Sequence, residues 1–211
     1  TYQSNGFFDE YITNNSSPRK GFKRSIGFFN SLTGSQKIYF KKLCESSISS
    51  MGVTFQLNAD ELKDRLWPLD LIPRIISLNK WEIVECGLSQ RVKALNLFIN
   101  DVYNKQEFLN KNPVLKDLIL DSPNFLSECM GISPKNKVWS NICGTDLIRN
   151  HNGDFFVLED NLRVPSGVAY MLENRNIMKR VIPELFNSYE VNPVDDYPSQ
   201  LYQCLCDASF S

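Results

Sequence analysis

The sequence predicts an α+β fold in which a mainly helical N-terminal region precedes an antiparallel β-hairpin. The segment 81–103 carries apolar residues mostly at steps of three and four, the period of an amphipathic α-helix. Two β-prone apolar runs flank the pair Asn152-Gly153, which is the strongest short-range signal for a hairpin. We therefore divide the chain into a mainly helical region, 1–135, and a region of hairpin and following helices, 136–211.

The helical region divides into elements at its glycines, prolines and capping residues. Apolar spacing and alternation give most of the remaining bounds. In chain order we predict an irregular start with a short helix before residue 36, a helix over 37–51 and a strand over 53–57. A helix from Asn58 or Asp60 through Leu66 and an irregular segment over 67–74 with two prolines follow. The long helix over 81–103 and short helical pieces up to residue 134 come next, and residues 135–138 lead into extended structure.

The hairpin brings three polar side chains onto one face. If Asn152 and Gly153 are the two central turn residues, Asp146 lies directly opposite Glu159. Side chains alternate along a strand, so Asn161 shares the face of Glu159. A symmetric four-residue loop gives the same pairing, whereas a bulged three-residue loop would shift it by one. The same register places Ile148 and Val157 on the face of Asp146, and places Asp160 on the other face with Leu147, Phe156 and Leu158.

Opposed carboxylates at this position indicate a cation site. Directly paired strand residues have Cβ atoms about 5 Å apart, and like charges at that distance repel. A divalent cation removes the repulsion. Two carboxylates and one amide are hard oxygen ligands of the kind that Mg²⁺ accepts, and Mg²⁺ keeps several waters, so few protein ligands suffice. We therefore predict metal ligation by Asp146, Glu159 and Asn161.

The residues directly after these ligands suit a phosphate. Arg163 follows Asn161 by two positions, and a Pro-Ser-Gly turn then leads into a helical segment over 168–179. Backbone N–H groups at such a turn and helix start can hold phosphate oxygens, and a guanidinium can neutralise a transferring phosphoryl group. We assign Arg163 to the transferring phosphate, and Ser166 and Gly167 to phosphate or substrate contacts. One more helix is predicted over 181–189.

The composition excludes other classes. Hydrophobic residues make up 42% of the 211 residues and the formal net charge is −1, so neither a nucleic-acid nor a membrane partner is indicated. No apolar stretch reaches the roughly 20 residues of a membrane span, and no signal peptide is evident. The six scattered cysteines are expected to be reduced, and His151 to be a loop residue. We expect a cytoplasmic protein.

The run Val157-Leu158-Glu159-Asp160-Asn161-Leu162-Arg163-Val164-Pro165-Ser166-Gly167, followed by Tyr170-Met171-Leu172-Glu173-Asn174-Arg175, resembles the metal-binding hairpin of the circularly permuted ATP-grasp family. This family is related to glutathionylspermidine synthetase-like ligases. The segments 52–55, 67–74, 87–91, 94–98 and 144–147 resemble the N-terminal half of the same family. The resemblance therefore extends over nearly the whole chain.

The resemblance implies an ATP-grasp-like fold and an ATP- and Mg²⁺-dependent carboxylate–amine ligase that acts through an acyl phosphate. It also implies that the chain is an N-terminal part of the family's length, with an incomplete fold and much of the nucleotide pocket missing. Many ATP-grasp ligases carry an arginine two residues before the metal-binding aspartate, where this chain has Gly144. Arg74, Arg91, Arg163 and Arg175 remain possible sources of a phosphate clamp. A non-catalytic homologue acting as a binding or scaffold module is the alternative.

Overall fold

The computed structural model describes residues 6–52, 54–55 and 65–209. In chain order, its helices are α1 (Lys23–Ser31), α2 (Gly34–Ser50), α3 (Leu78–Tyr103), α4 (Glu107–Asn110), α5 (Pro113–Leu120), α6 (Val168–Val181), α7 (Pro183–Asn187) and α8 (Tyr197–Ala208). The strands are β1 (Thr54–Phe55), β2 (Arg65–Leu66), β3 (Gly144–Arg149) and β4 (Phe155–Asn161). Strands β1 and β2 pair antiparallel, and β3 pairs with β4. This mixture of helices and two-stranded sheets agrees with the predicted α+β class.

The chain forms two compact units, each assembled from separate segments. The first unit contains residues 1–75, 149–156 and 166–197, and the second contains residues 76–148, 157–165 and 198–211. The predicted division at residue 135 concerns regions of the permuted family, which this grouping does not test, and it stays a prediction.

The core of the first unit lies between α2 and α6. Cys44 and Ile48 lie one helical turn apart on α2 and are buried with the apolar residues Ile177, Met178, Val181, Ile182 and Leu185. Burying a side chain of this size contributes about 1.5–3 kcal/mol relative to leaving it exposed. Burial raises the pKa of the Cys44 thiol, and the neighbouring Glu45 carboxylate raises it further. We expect this cysteine to act as a small core residue, with its thiol protonated.

The second unit is organised around α3, whose 26 residues include buried Val84 and Val102. Leu109 on α4 is also fully buried in this unit. One polar side chain of α3 is buried as well: Asn96 is only 7% exposed. A buried amide requires hydrogen-bond partners, and those of Asn96 lie just before the hairpin, as described below.

Two helix predictions are confirmed. The helix predicted over 37–51 is α2, which begins earlier because Thr33 and Gln36 form a capping box. The long helix predicted over 81–103 is α3, which begins three residues earlier at Leu78 and tolerates Gly87 in its interior.

The helix predicted to run through Leu66 is wrong at its end, because Arg65 and Leu66 form strand β2 against β1. The rest of that prediction, residues 58–64, lies outside the described residues. The extended structure predicted to follow residues 135–138 begins at Gly144, with strand β3. Lys135–Lys137 form a 3₁₀ turn in which Asn136 and Lys137 take positive φ. Helix α8 was not predicted.

The described helices differ from membrane-spanning ones in length or apolar character. None of them is both long enough and apolar enough to cross a bilayer.

Candidate functional site

The hairpin tip is a three-residue loop. The Asn150 N–H donates to the Asp154 carbonyl at 3.0 Å, and the Gly153 N–H donates to the Asn150 carbonyl at 3.0 Å. Gly153 takes φ +85°, which is the position of a left-handed residue in a bulged three-residue turn. The predicted two-residue turn at Asn152-Gly153 is therefore wrong. This loop pairs Asn150 with Asp154, a register shifted by one from the prediction.

The base of the hairpin nevertheless keeps the predicted offset. The Thr145 hydroxyl donates to the Asp160 carboxylate at 3.0 Å. A Cβ placed on Gly144 would lie 3.7 Å from that of Asn161. The exposure along β4 alternates except at Leu158 and Glu159, which are both exposed. We infer a β-bulge at these two residues, which adds one residue to β4 and reverses the shift made by the loop.

The bulge places Asp146 and Glu159 on the same exposed face at the base of the hairpin. Asn161 is exposed on this face as well, and its amide donates to the Glu159 carboxylate at 3.2 Å. Glu159 and Asn161 are thus in contact, whereas the position of Asp146 opposite Glu159 follows from the inferred register of the strands. The predicted faces of three apolar residues are wrong, because the loop shifts β4: Phe156 and Leu158 are exposed and Val157 is half-buried.

The candidate ligands carry no compensating charge. Across the described ranges neither Asp146 nor Glu159 forms an ion pair with a lysine or arginine. In the same part of the chain, no three His, Cys, Asp or Glu side chains lie close enough to hold a metal. The candidate set contains two acids and an amide, and its assignment to a metal stays a prediction. The Asn161 amide uses its N–H₂ on Glu159, so its oxygen is left for a ligand.

The neighbouring acid has a different environment. Asp160 lies between Glu159 and Asn161 in sequence, but its side chain is only 10% exposed and pairs with Arg91 of α3. The Arg91 Nε lies 2.7 Å from the Asp160 carboxylate. The second carboxylate oxygen accepts the Thr145 hydroxyl. Asp160 is therefore fixed by partners on two other elements, while Asp146 and Glu159 have no side-chain bond to another element among the residues that the structure describes.

A second set of contacts fixes the backbone at the base of the hairpin. The Asn96 side-chain oxygen accepts the backbone N–H groups of Trp139 at 2.7 Å and Ser140 at 2.8 Å. The Asn96 amide N–H₂ donates to the Ser140 carbonyl at 3.3 Å. The Ser140 hydroxyl then donates to the carbonyl of Leu162 at 2.6 Å. This chain of bonds ends between Asn161 and Arg163, so helix α3 holds the segment that carries both.

Arg163 is exposed, and no hydrogen bond or ion pair links it to another described residue. Its role in holding phosphate stays a prediction. Ser166 and Gly167 are exposed at the start of α6, where Gly167 takes φ +93°. The other three arginines named as possible clamps have contacts of their own: Arg74 pairs with Glu10, Arg91 with Asp160, and Arg175 donates to the Asn192 carbonyl.

The absence of a side chain at Gly144 has a steric basis. A Cβ at this position would lie 2.9 Å from the Cβ of Pro165. Any larger residue at 144 would therefore displace Pro165 and the segment that follows Arg163. The close contact packs the first residue of β3 against the end of the segment that carries Arg163.

The loop glycine gives a test of the tip geometry. Gly153→Ala is expected to destabilise the protein by about 1–3 kcal/mol, because a residue with a Cβ is strained at φ +85°. The added Cβ would also lie 2.3 Å from the ring of Phe8. The urea midpoint measures the loss. Gly27→Ala in α1 is the matched control, since its Cβ meets nothing within 4 Å and alanine favours a helix. Equal urea midpoints for the two variants would contradict the left-handed conformation of Gly153 at the hairpin tip.

The family is defined by comparison with known proteins. The sequence profile described as circularly permuted ATP-grasp type 2 matches residues 73–211, which is more than half of the chain. That range contains the whole hairpin and helix α3. The chain belongs to the circularly permuted ATP-grasp family, as the resemblance of its hairpin motif indicated.

Similar proteins are longer than this chain. An uncharacterized protein of Synechocystis sp. is 40% identical over 206 residues, which is 97% of this chain and 43% of that protein. An uncharacterized protein of Mycobacterium tuberculosis is 47% identical over 154 residues, or 73% of this chain and 27% of the relative. A Frankia casuarinae protein with the provisional name glutamate–cysteine ligase is 34% identical over 165 residues. These residues are 78% of this chain and 19% of that protein. The chain thus spans less than half the length of these relatives.

Sequence reasoning missed the supporting residues behind the site. Arg91 was named only as a possible phosphate ligand, and Asn96 only as part of a family-like segment. The signal that could have found Asn96 is a polar residue in the apolar repeat of α3, since such a residue must find hydrogen-bond partners when buried. No sequence signal pairs Arg91 with Asp160, which lies 69 positions away.

Proposed function

We propose that the full-length protein is an ATP- and Mg²⁺-dependent ligase that joins a carboxylate to an amine. The observation that carries the proposal is the exposure of Asp146, Glu159 and Asn161 on the two strands of the hairpin, where Asn161 bonds to Glu159 and neither acid has a cationic partner among the described residues. Membership of the ATP-grasp family supports ATP as the co-substrate. The cytoplasmic location stays a prediction from the sequence.

The donor set fits a hard divalent cation. Asp146 and Glu159 would supply carboxylate oxygens and Asn161 its amide oxygen, while the position of the bulge brings the two acids to one face. A Mg²⁺ ion held there would neutralise charge on the phosphates of ATP. The acids themselves would hold the cation at the base of the hairpin and fix its position there.

The proposed chemistry proceeds through an acyl phosphate. The substrate carboxylate attacks the γ-phosphorus of ATP and ADP leaves. The amine then attacks the acyl carbon and phosphate leaves, so that an amide forms. Arg163, with its exposed guanidinium two residues after Asn161, is positioned to bind the transferring phosphoryl group. The exposed backbone at Ser166 and Gly167 would bind phosphate or substrate oxygens.

The names of two relatives support the reaction class. The Frankia casuarinae protein and a second one from Frankia alni, 34% identical over 166 residues, both carry provisional names as glutamate–cysteine ligases. A ligase of that name joins a carboxylate to an amine. We propose the same class of reaction for this protein.

A scaffold module is the second candidate, and nucleotide binding separates the two. Calorimetric titration of the full-length protein with ATP and Mg²⁺ should give a saturable heat that depends on Mg²⁺. Asp146→Ala should weaken this binding, because the cation that bridges protein and phosphates loses a ligand. Absence of any binding heat in the unaltered protein would instead favour the scaffold.

A further inference from the structure

We propose that Arg91, Asp160 and Thr145 form a tether behind the hairpin that sets the spacing of the metal ligands on its front face. The inference rests on the proposed function, since it concerns the affinity of the same site for a divalent cation. It assigns Arg91 a positioning role in place of a phosphate contact. It also assigns roles to Asp160 and Thr145, which lie beside the ligands but face away from them.

The tether is a single carboxylate with two donors. One oxygen of Asp160 accepts the Thr145 hydroxyl at 3.0 Å, and the other lies 2.7 Å from the Nε of Arg91. Asp160 is on β4, Thr145 on β3 and Arg91 on α3, so the carboxylate joins three elements of the second unit. The Asp160 side chain is 10% exposed, and hydrogen bonds to an ion at such a site are stronger than those in open water.

The partners of this carboxylate adjoin the candidate ligands on both strands. Asp160 is flanked by Glu159 and Asn161, and Thr145 directly precedes Asp146. Because successive strand residues point to opposite faces, fixing Asp160 against Thr145 on the rear fixes the ligands' separation on the front. The tether also fixes the pairing of the strands next to the inferred bulge, where the exposure of β4 ceases to alternate at Leu158 and Glu159.

The charge of Arg91 has a second effect. Three consecutive polar residues of β4 include two acids, and Asp146 adds a third acid close by. An unpaired Asp160 would be released from the rear face, and the spacing of Glu159 and Asn161 on either side of it would change. Pairing with Arg91 neutralises Asp160 and keeps it on the rear face. Outer partners that orient metal ligands in this way typically account for 10–100-fold in metal affinity.

The test is a Mn²⁺ titration of the full-length protein, followed by the electron paramagnetic resonance signal of free Mn²⁺. Arg91→Ala, Asp160→Asn and Thr145→Val should each raise the Mn²⁺ dissociation constant by about tenfold or more. Thr145→Ser keeps the hydroxyl and should bind Mn²⁺ like the unaltered protein. The double variant of Arg91→Ala and Asp160→Asn should be no worse than the poorer single one, since both changes break one ion pair. Lys179→Ala, which breaks the Lys179–Asp195 pair of the first unit, is the control and should bind normally.

Steady-state assays separate the tether from other roles of Arg91. The Mg²⁺ concentration at half-maximal rate should rise in all three variants, with kcat largely restored at saturating Mg²⁺. A phosphate-binding Arg91 would instead raise the KM for ATP with the Mg²⁺ dependence unchanged, and that result would overturn the tether. The tether would also be overturned if Arg91→Ala, Asp160→Asn and Thr145→Val bound Mn²⁺ normally while Asp146→Ala bound none. Normal binding by Asp146→Ala would count against the proposed function itself.

Discussion

Glu159→Gln and Asp146→Asn in the full-length protein are each expected to reduce ATP-dependent phosphate release by about 10²–10³-fold. The amide keeps the size of the side chain but removes the charge that would hold the cation. Stabilisation of phosphoryl charge by a metal ion is worth several kcal/mol, and each 1.36 kcal/mol is a factor of ten in rate. Both residues are exposed and lack ion-pair partners in the described part of the chain, so their replacement should leave the fold intact.

The control for these variants is Asp117→Asn, an exposed acid on α5 that lies outside the hairpin. Its phosphate release should equal that of the unaltered protein. Circular dichroism and the thermal midpoint check that all three variants are folded. If Glu159→Gln and Asp146→Asn both turn over at the normal rate, the metal-ligand assignment is wrong.

Asn96→Ala is expected to cost about 2–5 kcal/mol of unfolding free energy. The side-chain oxygen accepts two backbone N–H groups, those of Trp139 and Ser140, and Ser140 lies in a buried position. Truncation leaves both donors without this partner, and an unsatisfied buried group costs about 1–3 kcal/mol. The urea midpoint of the full-length protein measures the loss.

The same variant should loosen the base of the hairpin. Hydrogen exchange at Trp139 and Ser140 should accelerate, because their N–H groups lose their acceptor. Asn79→Ala is the matched control: it lies on the same helix but is exposed, so we expect a change within about 0.5 kcal/mol. If Asn96→Ala were as stable as Asn79→Ala, the amide would not hold this segment.

Local sequence patterns predicted the long helices and the hairpin. The hairpin loop, the short strands and the partners of buried polar groups depend on contacts between distant parts of the chain. The apolar repeat of 81–103 was sufficient to predict α3, because a long amphipathic helix depends on local spacing. The Asn-Gly pair predicted the hairpin but not its loop, since glycine can occupy the second central position of a two-residue turn or the left-handed position of a three-residue one. The short strand at Arg65 could not be predicted from its own sequence, because its two residues form a strand only by pairing with β1.

The candidate site was predicted from a regular hairpin with a two-residue turn, which is not the hairpin that the structure has. Asp146 and Glu159 are both exposed, and they lie on one face if the bulge inferred at Leu158–Glu159 reverses the shift made by the loop, so their shared face stays a prediction. Neither deviation is encoded in side-chain alternation alone. The environment of Asp160 depends on Arg91, whose distance along the chain places the contact beyond any local rule. The acids that stay exposed and the acid that becomes paired could be told apart only in three dimensions.

The central claim is that the exposed face at the base of the hairpin binds a divalent cation. Affinity cleavage tests it directly: bound Fe²⁺ reacts with hydrogen peroxide to give hydroxyl radicals at a metal site, ascorbate reduces the Fe³⁺ that forms, and mass spectrometry then maps where the backbone of the full-length protein is cut. We predict cuts confined to the segments around 144–148 and 157–163, suppressed by excess Mg²⁺ and lost in Asp146→Ala. Cuts elsewhere in the chain, or cuts in these segments that Mg²⁺ does not suppress, would contradict a cation site at this hairpin.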